Sequence, residues 1–525
     1  MKKIIHLILF GCFAFHASSQ EVNFSEHIAP IIYNHCTTCH RQGEVAPFPL
    51  TNYTQVKSWA PMIQYVTNIK YMPPWKPDHT YQNYQRENYL TEAEIQKIAD
   101  WVAKGTPQGN PDLEPPLPIF PTGSQIGTPD LVLSFKEAYV HKGNNQDEYR
   151  YFVLPTGLTQ AKDLVALEIR PGNKSIVHHA LVSSDTTGTA RAADARTPAY
   201  GYEYGDDNNS TLTALSIQLP GYVPGMQPLV YSNDIAQRMP AGADLKIQMH
   251  YAPSPIDQKD STTINLFFAK RPATRFIKGT IMVPLPSTLV NGPFIILANQ
   301  VKEFHGIYTF LEDVSLLNIT PHMHKLGQWW KVYAVKPNKD TVNLIQINEW
   351  DFNWQGTYSF KKPIMLPVGT VVHAFAKYDN TVNNPTNPNN PPKFVSWGER
   401  TSDEMYYLPL AWVSYQPGDE NIVFENQTTA TKAEFQSIQN QLYPIAPNPA
   451  TDKVKIGYTL VVGEKVTLQL YDINGRVIKT IVANQFHLPG LHAAELDVSK
   501  QAAGVYIVTL DVNGKQYSQK LLVSK

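Results

Sequence analysis

Leu245-Lys246-Ile247-Gln248-Met249-His250-Tyr251 alternates apolar and polar side chains through most of its length. Successive side chains of a β-strand point to opposite faces, so this alternation predicts a strand. Short runs of the same kind recur between residues 128 and about 415, separated by Gly, Pro and Asn. The pattern is typical of β-sandwiches. The clearest further strands are predicted at Leu131–Phe135, Tyr149–Leu154, Ser315–Ile319, Lys331–Val335 and Val371–Ala376.

The residues before this region, 20–112, are predicted to form a small all-α domain. Thr91 with Glu94 three positions later is a capping box, the signature of a helix start. Ile95, Ile98, Ala99 and Val102 then form one apolar face, and Gly105 is the expected stop. Residues 113–127 contain several prolines and are interpreted as a stiff linker.

The helical segment carries Cys36-Thr37-Thr38-Cys39-His40, a C-x-x-C-H sequence. In this motif two thiols bind the vinyl groups of a c-type haem and the histidine ligates its iron. The motif therefore predicts covalently bound haem on Cys36, Cys39 and His40.

A sixth iron ligand is expected further along the chain, and Met72 in Tyr71-Met72-Pro73-Pro74-Trp75 is the preferred candidate. The prolines favour a rigid loop that could hold a thioether against iron. Met62 and His79 remain alternatives. The stretch from Cys36 to Trp75 resembles the cytochrome c-like domains found at the front of secreted bacterial multidomain proteins.

Residues 1–19 have the features of a secretory signal peptide: a charged start, an apolar run and small residues for cleavage. Cys12, inside that run, leaves a lipid-anchor interpretation open. No later stretch has the length and hydrophobicity of a transmembrane helix. The net charge of −1 and the absence of a basic stripe argue against nucleic acid as a partner.

Several histidines of the β-rich region are spaced like metal ligands. His178 and His179 are adjacent, so both can serve one site only at a bulge or strand end. His322 and His324 are two residues apart and would share one face of a strand. His250 and Met405 are uninformative alone. Imidazoles combined with a thioether favour copper over calcium or magnesium.

In order along the chain, these motifs resemble the copper type II, ascorbate-dependent monooxygenases, a family that includes peptidylglycine α-hydroxylating and dopamine β-monooxygenases. The resemblance covers about residues 128–415 and implies two sandwich domains of jelly-roll type, 128–275 and 276–420, facing each other across a solvent-filled cleft. It implies an electron-transfer copper on His178, His179 and His250. It also implies an oxygen-binding catalytic copper on His322, His324 and Met405.

Two departures from the family concern the substrate. Amidating members carry an Arg two residues before His-x-His to bind the peptide carboxylate, and this chain has Thr320 there. The Asn and Tyr that follow the methionine ligand in those members correspond to Tyr407 and Pro409. Peptide amidation is therefore not expected, and the substrate stays open.

After a polar linker, 421–442, the segment 443–525 is predicted to be an all-β Ig-like sandwich. Leu442-Tyr443-Pro444, Leu470-Tyr471-Asp472-Ile473-Asn474-Gly475-Arg476 and the closing Lys520–Lys525 resemble type A sorting domains of the type IX secretion system. The resemblance implies recognition by that secretion machinery. The expected location is the outer surface or the medium, reached through the periplasm of a Gram-negative bacterium.

Together these features predict a secreted copper monooxygenase that hydroxylates an organic small molecule with O2. Its electron donor is expected to be ascorbate or an equivalent reductant, and the fused haem offers a relay into the copper unit. The alternative is a secreted haem and copper protein that transfers electrons or binds copper without hydroxylating anything.

Overall fold

A computed structural model describes residues 21–120, 123–203, 217–231, 234–424, 440–443, 445, 447–460, 464–487 and 490–524. The chain divides after Phe424 into two compact units. The structure is mostly β-sheet with few helices, which confirms the predicted predominance of β-sandwiches. Within the described ranges, the structure contains no helix with the length and hydrophobicity needed to cross a membrane. The predicted signal peptide, residues 1–19, lies outside the described residues.

The N-terminal segment is helical, as predicted. Its longest helix begins after Thr91, whose side chain and that of Glu94 form the predicted capping box. Ile95, Ile98 and Trp101 of this helix pack into a common core with the first helices. The segment contains a π-helical turn Phe24–Ile28, α1 Ala29–His35, α2 Tyr53–Ser58, α3 Ala60–Asn68, α4 Glu92–Ala103 and a 3-10 turn Pro111–Leu113.

Two five-stranded sheets form the first sandwich, in the orders β1-β11-β4-β8-β12 and β6-β3-β9-β5-β7, beside a small β10-β2 ribbon. Their facing apolar side chains form one core. The strands are β1 Leu131–Ser134, β2 Tyr139–His141, β3 Glu148–Pro155, β4 Lys162–Arg170, β5 Val177–Asp185, β6 Tyr202–Glu203, β7 Ile217–Tyr222, β8 Ile235–Met239, β9 Asp244–Tyr251, β10 Gln258–Asp260, β11 Thr263–Phe268 and β12 Arg275–Phe276; helix α5, Thr189–Arg196, follows β5.

The second sandwich has two four-stranded sheets, β13-β22-β16-β19 and β15-β20-β17-β18, and a β14-β21 ribbon. Its core is the largest apolar cluster described. The strands are β13 Lys278–Met282, β14 Ile295–Ile296, β15 Val301–Thr309, β16 Val314–Ile319, β17 Gly327–Val335, β18 Thr341–Ile347, β19 Tyr358–Leu366, β20 Val371–Asp379, β21 Val395–Ser396 and β22 Leu408–Ser414, followed by a 3-10 turn Asp419–Asn421.

One part of the predicted helical domain belongs structurally to the second sandwich. Pro77 bridges to Ile347 of β18, and Tyr84 bridges to Phe360 of β19. Because β18 and β19 are edge strands of the two opposing sheets, the segment covers two exposed sheet edges. Tyr84 is fully buried in the sandwich core. A side chain of the predicted unit 20–112 therefore packs into the core of the second sandwich.

The C-terminal unit is an all-β sandwich, as predicted, with sheets in the orders β23-β24-β27 and β26-β25-β28-β29. Alternate side chains of β25 and β28 fill its core. The strands are β23 Gln441–Leu442, β24 Lys453–Leu460, β25 Glu464–Tyr471, β26 Val477–His487, β27 Gly490–Asp497, β28 Gly504–Val512 and β29 Lys515–Val523.

Candidate functional site

His178, His179 and His250 converge on one point of the first sandwich. His179 on β5 lies directly opposite His250 on the neighbouring antiparallel strand β9, so their side chains share one face of the sheet. The β5–β9 register shifts between Val177 and His179. This irregularity is the bulge that two adjacent ligands require, and it brings His178 beside the other two.

The nitrogen atoms of this triad have the spacing of metal ligands. His179 Nδ1 lies 3.2 Å from His178 Nδ1 and 3.3 Å from His250 Nδ1. Two nitrogens bound at about 2.0–2.1 Å to one tetrahedral ion lie roughly 3.3 Å apart. His250 Nε2 bonds Asp147 Oδ1 at 2.7 Å, which is the outer carboxylate contact that orients metal-binding histidines.

His322 and His324 occupy the loop between β16 and β17. The predicted strand placement is therefore wrong, because the β16 ladder ends at Ile319. The loop stays extended at His322, which bridges to Tyr407. His322 and His324 still line the same cavity. His322 Nδ1 contacts Gln355 Oε1, and His324 Nδ1 lies 3.1 Å from the Asp403 carbonyl. Both contacts leave Nε2 available to a metal.

Glu404 joins the histidine loop to Met405. Its buried carboxylate accepts the backbone N–H groups of His324, of Leu326 at 3.0 Å and of Met405 at 2.8 Å. Met405 is itself buried, and its carbonyl accepts the hydroxyl of Tyr378 at 2.9 Å. Glu404 thus holds two members of the second predicted ligand set, His324 and Met405, through their backbone N–H groups.

The two ligand sets adjoin, in contrast to the solvent-filled separation that the resemblance implied. The ring centroids of His179 and His322 are 6.3 Å apart. Phe352, from the loop after β18, stacks on His178 at 5.2 Å and lies 5.8 Å from His324. Its ring therefore lies beside one histidine of each set.

Burial keeps these histidines neutral at physiological pH. It lowers the pKa of His178 to about 3 and of His322 to about 4. It places the pKa of His179 and of His324 well below the ordinary value. Burial also lowers the pKa of His250, against the raising effect of Asp147. Neutral imidazole is the form that binds a metal ion.

A cavity of about 520 Å³ opens beside both sets, and its lining includes His179, His322, His324 and Met405. Most other lining side chains are apolar. Glu399 contributes a buried carboxylate that accepts the hydroxyl of Tyr151 at 2.9 Å and the amide of Gln248 at 3.1 Å. These bonds connect the second sandwich to the first.

The haem motif lies at the end of α1. Cys36 and Cys39 are free thiols, and burial raises their pKa values to about 12 and 11. His40 Nδ1 lies 3.0 Å from the Phe48 carbonyl, which leaves Nε2 for an axial bond. Met72 follows α3, and its backbone N–H donates to the Val66 carbonyl at 3.1 Å. Met72 as the sixth ligand stays a prediction.

Four residues of the site escaped the sequence analysis: Asp147, Phe352, Gln355 and Glu399. Each lies in a loop remote in sequence from the histidines that it contacts or faces. Carboxylates, amides and aromatic rings in loops are too common to be singled out by spacing. Glu404 alone had a local signal, its position beside Met405.

No curated protein matches the sequence. Among solved structures, β-glucuronidases of Parabacteroides merdae and Faecalibacterium prausnitzii are each 10% identical over 42% of this chain, with a TM-score of 0.13. This chain spans only 27% and 37% of their respective lengths. An allantoicase is 12% identical over 46% of this chain and 81% of its own, with a TM-score of 0.15.

The C-terminal unit gives a definite match. Residues 444–524 match the family model of the secretion system C-terminal sorting domain. This confirms the predicted type IX sorting domain and its interaction with the secretion machinery. The chain therefore carries a sorting signal for export to the cell surface or to the medium.

Proposed function

We propose that this chain is a secreted copper-dependent monooxygenase that hydroxylates an organic molecule with O2. One observation supports this most: five buried or half-buried histidines and the buried Met405 gather beside one largely apolar cavity. His178, His179 and His250 would hold one copper, and His322, His324 and Met405 the other. Bound copper would supply one-electron redox chemistry and activation of O2.

The protein's own residues would prepare that chemistry in three ways. Asp147, Gln355 and the Asp403 carbonyl orient imidazole rings. Glu404 fixes the loop and the methionine by accepting backbone N–H groups. Phe352 lies beside one histidine of each set, where its apolar ring would limit loss of reactive species to water.

The cavity favours a substrate with an apolar body and without a carboxylate. Thr320 lines it where amidating relatives have an arginine, and its hydroxyl contacts Thr357 at 2.9 Å. Arg238 and Lys278, the cationic residues of the lining, are paired with Asp163 and Glu312. The buried anionic group that faces the cavity is Glu399.

A haem on Cys36, Cys39 and His40 would supply a further one-electron centre. The thiols are free and His40 presents one unengaged ring nitrogen, so the residues fit the group. We propose that it serves as an electron port for the copper unit, alongside ascorbate or another reductant.

The test is metal analysis of the purified chain followed by oxygen uptake with ascorbate and a library of apolar C–H substrates. We expect two coppers per haem and oxygen uptake coupled to a hydroxylated product. Fewer than two coppers per haem would contradict the paired sites. Full copper with no product under any reductant would instead support the alternative, an electron-transfer or copper-binding protein.

Asp147→Asn is expected to weaken copper binding by about 10–100-fold, the usual cost of losing an outer-shell partner. The change removes the charge that orients His250 and keeps the size of the side chain. Copper affinity would be measured by competition with a chelator. The control is Asp257→Asn, which breaks an exposed pair with Lys142. Equal affinities in the two variants would count against a role for Asp147 at the metal.

A further inference from the structure

The haem-attachment motif contacts the first sandwich through one shared ion pair. Glu44 Oε1 lies 2.6 Å from Lys174 Nζ, which precedes β5, and 2.6 Å from Arg41 Nη2 beside the motif. Glu44 and Lys174 are largely shielded, with side-chain exposures of 16% and 28%. Partial burial strengthens such a pair relative to an exposed one.

A second contact lies at the thiol itself. Gly225 has φ +78°, and a Cβ built there would lie only 2.9 Å from Cys39 Sγ. The turn after β7 thus touches the atom to which haem would be attached. Glycine favours this approach, because its positive φ strains other residues and a Cβ here would force Cys39 Sγ to move.

Both contacts involve residues that lie close to the histidine triad along the chain or across a strand pair. Lys174 is four residues before His178 on the same segment. Tyr222, three residues before Gly225, is the cross-strand partner of Ala180, which follows His179. Chain geometry limits the path from Cys39 Sγ through Gly225 and Tyr222 to the Ala180 backbone to about 21 Å.

We infer that the Glu44–Lys174 pair and the Gly225 turn form an internal docking contact that passes electrons from the Cys36–His40 haem site to the His178/His179/His250 site. The inference rests on the proposed function and adds to it the path that electrons take from the haem site to the triad. The step exchanges one electron and no atoms: haem iron is oxidised from ferrous to ferric while copper at the triad is reduced from Cu(II) to Cu(I). The docking contact keeps the transfer within one chain.

The docking contact can be tested without copper. A carbodiimide couples adjacent amines and carboxylates directly, so we expect a Lys174–Glu44 cross-link in peptide mass spectra of the haem-loaded chain. The control is Lys142, whose own neighbour Asp257 should cross-link equally in the wild type and in the Lys174 and Gly225 variants. Absence of the Lys174–Glu44 link beside a normal Lys142–Asp257 link would overturn the docking contact.

Electron transfer is tested by pulse radiolysis of the chain loaded with haem and Cu(II). We expect the reduced haem spectrum to decay at a rate independent of protein concentration, with an equal loss of the Cu(II) EPR signal. Lys174→Glu should slow this phase roughly tenfold, because repulsion from Glu44 replaces attraction. Gly225→Ala should also slow it. Lys174→Arg and the control Lys142→Glu should keep the wild-type rate.

The outcomes separate the two proposals. Suppose that copper and haem load and ascorbate supports hydroxylation, but the reduced haem shows no decay at a rate independent of protein concentration. Electron transfer through the docking contact is then wrong, and the proposed function stands. If the reduced haem decays at the wild-type rate in both Lys174→Glu and Gly225→Ala, electron transfer through the docking contact is also wrong. If copper fails to load, metal analysis shows that the proposed function itself has failed, and the route with it.

Discussion

Met405→Leu is expected to abolish hydroxylation while leaving the triad copper in place. The substitution removes the thioether and nearly conserves volume, so its packing cost should stay below about 1.5 kcal/mol. Loss of an outer-shell partner already costs about 10–100-fold in activity, so loss of a direct ligand should cost at least about 100-fold. Product formation with ascorbate and the Cu(II) EPR spectrum are the measurements.

Met239→Leu is the matched control, because Met239 is fully buried in the first sandwich and is not among the predicted ligands. It should retain wild-type product formation and two coppers. A Met405→Leu protein that hydroxylates at the wild-type rate would show that the sulfur is not a ligand. A protein that loses the triad copper as well would show that the two sets do not bind independently.

Sequence periodicity predicted the positions of the strands because side chains alternate between the two faces of a sheet, although β9 is buried on both faces. The long runs at Tyr149–Leu154, Leu245–Tyr251 and Val371–Ala376 all fall within observed strands. The same reasoning anticipated a bulge at His178 and His179, since adjacent ligands cannot otherwise share a face. The shifted register between Val177 and His179 agrees with it.

Tertiary proximity was beyond the same reasoning. The sequence does not indicate that Phe352 packs on His178, or that Gln355 contacts His322, because loops supply both from distant positions. The resemblance implied two sets across a cleft, whereas the ring centroids of His179 and His322 are 6.3 Å apart. How closely two sandwiches approach depends on side chains at their interface, and no periodic pattern encodes that.

The placement of Tyr84 was likewise missed, because its segment has neither helical nor strand periodicity. Its ring lies 5.6 Å from those of Tyr358 and Phe360. Its hydroxyl donates to the Leu344 carbonyl at 2.7 Å. The segment therefore contributes a core side chain and a hydrogen bond to a sandwich about 200 residues downstream.

Tyr84→Ala is accordingly expected to destabilise the second sandwich by about 3–5 kcal/mol, the cost of removing a buried aromatic side chain. Tyr84→Phe, which deletes only the hydroxyl, should cost about 1 kcal/mol. The matched control is Tyr65→Ala, whose side chain is 61% exposed and should change stability by less than about 0.5 kcal/mol. Urea unfolding followed by tryptophan fluorescence measures all three. If Tyr84→Ala unfolds at the same urea concentration as Tyr65→Ala, the segment does not support the sandwich core. If the expected order holds, packing of the Tyr84 ring contributes to the stability of the second sandwich.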